Sequence, residues 1–95
     1  MAKTFPKPKD PDAVLDYEWD WAPFLAEGDP IATSVFTVVE GTCTTGARPD
    51  EKTDTTTTVW VSGGEPGEEC HITNHIITAA GREDDLTGII KIKEK

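Results

Sequence analysis

Between Val14 and Trp21 the chain alternates without interruption: Leu15, Tyr17, Trp19 and Trp21 share one parity, and Asp16, Glu18 and Asp20 the other. Successive side chains of a strand point to opposite faces, so this stretch makes one apolar face and one carboxylate face. A helix would scatter both sets around its axis. The segment predicts a β-strand half-buried against a core, and the remaining residues have to supply its sheet and an opposing layer.

They contain the material to do so. Ile31 to Val39 is rich in β-branched residues and sets Ala32, Ser34, Phe36 and Val38 against Ile31, Thr33, Val35, Thr37 and Val39. Gly41 to Thr45 reads as a short strand holding Cys43. The run Thr55 to Val61, then Glu69 to Thr78 and Leu86 to Lys93, reads the same way, since branching at Cβ stiffens χ1 and disfavours helix. Gly28-Asp29-Pro30 and Ala79-Ala80-Gly81-Arg82 are turns, and the polar stretch 46–54 with Pro49 is an exposed loop. Gly63-Gly64-Glu65-Pro66-Gly67 is expected to close a hairpin. In 95 residues there is room for one core. Short strands separated by frequent turns predict an antiparallel immunoglobulin-like β-sandwich over residues 12–95, with a small open barrel as the alternative.

Residues 1–11 differ in kind. Pro6, Pro8 and Pro11 fix φ and remove backbone donors, which predicts an extended arm. Lys3, Lys7 and Lys9 against Asp10 give the arm a net charge of +2, while the whole chain carries −9. An arm opposite in sign to its body can fold back on that body or reach an acidic neighbour. The expected partner-binding residues are Lys3, Phe5, Pro6, Lys7, Pro8, Lys9, Asp10, Pro11 and Asp12, together with the aromatic edge of the first strand.

The acidic balance argues against a general nucleic-acid surface, because phosphate backbones would be repelled. No apolar run approaches the ~18 residues of a membrane span, and the N-terminus lacks the apolar stretch of a signal peptide. Synthesis in the cytosol without a membrane partner is expected. In that compartment Cys43 and Cys70 are expected as buried free thiols, a bridge requiring that both point inward from adjacent strands and that the protein leave the cell.

Little in the sequence points to chemistry. His71 and His75 have zinc spacing only on a helix; four residues along a strand put them ~13 Å apart. Asp16, Glu18 and Asp20 are ~6.6 Å from neighbour to neighbour in a strand, too far to share one cation. Glu83-Asp84-Asp85, expected near a turn, lacks the spacing of a calcium loop, and Arg82 beside it offers an ion pair. Ser34 and Ser62 stand outside any nucleophile context, and the glycine-rich stretch 62–67 contains a proline and lacks a following Lys and Ser or Thr. No cofactor, metal or catalytic residue is expected. Tyr17, Trp19, Trp21 and Trp60 read as core, with a sugar-stacking platform as the alternative.

Lys9-Asp10-Pro11-Asp12-Ala13-Val14-Leu15-Asp16-Tyr17 with Asp20-Trp21, Gly28-Asp29-Pro30-Ile31-Ala32, the run Thr55 to Gly64 with Trp60-Val61-Ser62-Gly63-Gly64, Ile72-Thr73-Asn74 and Thr78 to Arg82 together resemble a family of short virion structural proteins of tailed bacteriophages. The resemblance covers roughly residues 9 to 87 and departs from the family's pattern at Glu68, Glu69, Cys70 and His75. It implies a non-enzymatic virion component in several copies, binding the major capsid protein or neck and tail components. Capsid decoration is the first expectation; a head–tail or fibre–tail adaptor is the alternative, and a carbohydrate-binding or adhesion module on the particle is another. Core positions for Trp19, Trp21 and Trp60 favour the structural readings, whereas two of them side by side at the surface favour sugar binding.

Overall fold

A computed structural model describes residues 2–94 and shows an all-β chain in two packed sheets. The strands are β1 (Ala2–Thr4), β2 (Leu15–Asp20), β3 (Ile31–Glu40), β4 (Cys43–Thr45), β5 (Glu51–Lys52), β6 (Thr56–Gly63), β7 (Glu69–Thr78) and β8 (Glu83–Lys91). One sheet runs β1-β8-β7-β3; the other runs β2-β6-β4, with β5 also on β6. A 3-10 turn, Ala22–Phe24, follows β2, with Pro23 in its first positions.

Several expectations are corrected by this topology. The glycine-rich turn after β6 does not close a hairpin: β6 and β7 lie in different sheets, so residues 64–68 carry the chain across the sandwich. Gly64 permits this with φ +105°, where a Cβ would meet Ile92 Cγ1 at 2.9 Å. Only β7 and β8 are joined as the sequence suggested, through 79–82, in register from Glu69↔Lys91 to Ile77↔Glu83. Glu83-Asp84-Asp85 follows that turn directly and opens β8, which starts before the expected Leu86. The expected loop 46–54 contains β5, which pairs with Thr57 and Thr58. The pairing is not uniformly antiparallel either, since β1 runs parallel to β8.

The core lies where the two inward faces meet. Trp19 and Trp21 are fully buried, with Val59 and Val61 beside them and Ile72, Ile76 and Ile90 opposite. Burying two indoles removes on the order of 400 Å² from water, an upper bound of about 10 kcal/mol of hydrophobic stabilisation. Their N–H groups are satisfied across the sandwich: Trp19 Nε1 donates to Leu86 O (2.9 Å) and Trp21 Nε1 to Asn74 Oδ1 (2.9 Å). Asn74, fully buried on β7, also accepts from Thr57 Oγ1 (2.6 Å) and donates to Ser34 Oγ (2.8 Å). The network ties β2 and β6 of one sheet to β7 and β3 of the other. Among the described residues, no buried side-chain nitrogen or oxygen lacks a hydrogen-bond partner.

Cys43 and Cys70 are not free thiols. They form a disulfide across the sheets, from β4 to β7, with Cα atoms 6.1 Å apart. Both residues point into the interior, but from strands of opposite sheets and not from adjacent strands as the expected route to a bridge required.

A candidate docking surface

The N-terminal segment takes the first of its two courses and folds back on its own body. β1 adds to β8 with Lys3 opposite Gly88. Phe5 N donates to Ile89 O (3.0 Å), Lys9 N to Lys91 O (2.8 Å) and Lys93 N to Lys9 O (2.9 Å). Pro6 and Pro8 fall between these anchor points, where no donor is required. The segment thus forms the edge of one sheet.

Its side chains divide into those facing inward and those left outside. Phe5 stands edge-on to Tyr17 and Trp19, with ring centroids 4.8 and 5.3 Å away. Lys3 Nζ lies 5.0 Å from the Phe5 ring centre and donates to Glu18 O at 3.2 Å. Lys9, expected to meet a partner, is fully buried; its ammonium donates to Gly63 O (2.7 Å) and Asp10 O (2.9 Å), and desolvation lowers its pKa. Its role in this form is internal. Asp10 Oδ1 accepts from Asp12 N (2.8 Å), shaping the turn into β2. Pro8 and Pro11 are half-buried, whereas Pro6, Lys7 and Asp12 are exposed.

Between this segment and the start of β2 runs a groove of about 310 Å³, lined by Phe5, Pro6, Lys7, Pro8, Leu15, Asp16 and Tyr17. Leu15, placed by parity with the buried stripe, is 40% exposed because the strand begins at the margin of the sandwich. The groove therefore has apolar walls with one cation and one carboxylate among its lining residues. Burial, and secondarily the Asp16 charge, pushes the Tyr17 phenol above its usual pKa, so it stays protonated and able to donate. Sequence reasoning missed the exposure of Leu15. The position of Leu15 at the very start of the alternating run, after Pro11 and Asp12, was the available signal.

The remaining candidate groups hold the chain's own loops and strands. His75 contacts Asp85 and, at 3.0 Å, Glu83, all on the outer face of β7 and β8, and these carboxylates raise its pKa. His71 lies near Glu40 (3.3 Å) and Glu69 (3.4 Å). Arg82 pairs with buried Asp29 (2.8 Å), not with its acidic neighbours in sequence. Ser62 Oγ bonds Thr44 Oγ1 (2.8 Å). Glu68, close to both cysteines, accepts from Thr42 Oγ1 (2.6 Å) and Glu65 N (2.7 Å); with the sulfurs joined to each other, neither is a thiolate ligand. All four departures from the family pattern thus have partners inside this chain: Glu68 with Thr42, Glu69 with His71, Cys70 with Cys43, and His75 with Asp85.

The aromatic residues separate the structural readings from sugar binding. Trp19 and Trp21 are core, and Trp60, on the opposite parity from Val59 and Val61, sits half-buried on the outer face with Arg48 over its ring at 4.9 Å. No two tryptophans stand side by side at the surface. Among the described residues no helix is long and apolar enough to cross a membrane.

Fold and site together define a small all-β module whose polar groups secure its own loops and strands. A comparison with protein families gives the lineage: residues 9–91 match the family described as "Podophage GP4 fiber-tail adaptor protein gp77". The chain belongs to that family, and is a phage virion structural protein of adaptor type. The match begins at Lys9, so most of the N-terminal segment lies outside it. No curated protein matches the chain.

Proposed function

We propose that this chain joins tail fibre to tail in a podophage virion, acting as a non-enzymatic, immunoglobulin-like β-sandwich. The family match across residues 9–91 carries the reading and favours the adaptor role over capsid decoration. Contact with a virion partner is made through the groove between the N-terminal segment and β2, with Pro6, Lys7, Leu15 and Asp16 as its accessible members. An apolar cleft with a charged rim suits an anchoring side chain from a protein partner, and repetition around the particle compensates for a small contact per copy. The chain is made in the host cytoplasm and works in the assembled particle.

The test is assembly of particles with the double variant Lys7→Glu/Leu15→Glu. Both positions are exposed, so the fold should persist, and the proposal expects particles that lose their fibres. Full fibre occupancy with the variant incorporated would defeat the groove's assigned role.

A further inference from the structure

β3 is the outer strand of its sheet, bonded to β7 on one side; no strand among the described residues pairs with its other side, where the first residue is engaged, Ile31 N donating to Asp54 O (3.0 Å) and Ile31 O accepting from Lys52 Nζ (3.3 Å). It is ten residues long and contains neither proline nor lysine, the usual guards of a free edge. The other edges are blunted. β1 has three residues and is followed by Pro6 and Pro8; β4 and β5 have three and two; β2 receives the Lys3 ammonium at Glu18 O. The two most exposed large apolar side chains of the described residues, Val35 at 56% and Val39 at 59%, both belong to β3. An edge so long, neutral and aliphatic is a template for another strand.

We propose that the occupant is β3 of a second copy, paired antiparallel about a two-fold axis through the middle of the strand near Val35 and Phe36. Charge decides in favour of a like strand. From Ile31 to Val39 there is no ionisable side chain, so two bodies of net charge −9 can meet here without opposing like charges along the joint. The strand's one charge, Glu40, falls at the ends of the joint, beside Ile31 of the other copy. There Lys52 projects, its Nζ 3.3 Å from Ile31 O. Glu40 is largely exposed, its carboxylate 3.3 Å from His71 Nε2, and it can turn outward to that ammonium. Pairing would join the two four-stranded sheets into one of eight strands and place the Val35 and Thr37 rows of both copies on a common outer face. This contact is separate from the groove and does not depend on the partner proposed for it.

Sedimentation of the full chain over a concentration series tests the inference. A monomer–dimer equilibrium is expected, weakened at least about tenfold by Val35→Lys, which places a guard charge on an exposed edge position without touching the core. Glu40→Lys alone should weaken it as well, and Glu40→Lys combined with Lys52→Glu should restore it. A wild-type chain that stays monomeric at every concentration, or a dimer indifferent to Val35→Lys, overturns the proposal. A dimer that the double exchange does not restore overturns the antiparallel arrangement. Circular dichroism of each variant establishes that the fold is retained.

Discussion

Trp19 lies directly against the bare backbone of Gly88: a Cβ at position 88 would stand 2.5 Å from Trp19 Cζ2 and 2.8 Å from Phe5 Cε2. The absence of a side chain on β8 lets the largest core residue of β2 and the main apolar anchor of the N-terminal segment stack over the same point. Gly88→Ala must therefore displace an indole already fixed by its bond to Leu86 O, or release Phe5. We expect a loss of about 1–3 kcal/mol in urea unfolding, and increased exchange of the Phe5 amide. A variant as stable as the parent would contradict this packing.

The Cys43–Cys70 bridge closes a loop of 27 residues between the two sheets. Its loss should cost about 3 kcal/mol, mainly through the greater freedom of the unfolded chain. Cys43→Ala/Cys70→Ala should unfold at correspondingly lower denaturant, and a reducing agent should bring the parent to the same midpoint. Identical midpoints with and without reductant would speak against the bridge.

Asp29 joins the turn before β3 to the β7–β8 connection by accepting from Thr78 Oγ1, Ala80 N and Arg82 Nη1. The Thr78 hydroxyl first, then the Ala80 amide and Arg82, hold its pKa below the ordinary 3.8. A carboxylate depressed in the folded state contributes stability above the unfolded pKa and loses it as pH falls through the folded value. Asp29→Asn should melt at lower temperature than the parent at neutral pH, and the gap should narrow under acid conditions below the ordinary carboxylate pKa. A gap independent of pH would mean that the carboxylate charge is not what binds the two turns.

His75 works in the opposite sense. Asp85 and then Glu83 raise its pKa from 6.5, so its contribution is complete below that value and disappears as pH rises through the higher folded pKa. The melting temperature should drop slightly on passing from pH 6 into the alkaline range, and His75→Gln should flatten that part of the profile. An unchanged profile in the variant would assign the effect to other groups.

What the sequence revealed was set by side-chain period. Alternation located β2 to within a residue and put Trp19 and Trp21 in the core, because a half-buried strand cannot hide its parity, and β7 was bounded by the turn residues on either side of it. Sheet membership is not encoded that way: inward residues of β6 and β7 alternate alike whichever sheet they join, so the turn at Gly63–Gly67 read as a hairpin when it is a crossover. Glu51–Lys52 and Ala2–Thr4 carry no alternation long enough to detect. Burial of Lys9 had no local signal, since the carbonyls of Gly63 and Asp10 that receive its ammonium converge only once the sheets are packed. Trp60 did carry one, its parity being opposite to Val59 and Val61, and grouping it with the core aromatics overlooked that.

The adaptor assignment is tested most directly by imaging purified particles in which this chain carries a density label at its C-terminus. The account predicts label confined to the tail, at the points where fibres attach. Label spread as a lattice over the head, with none at the tail, would contradict it.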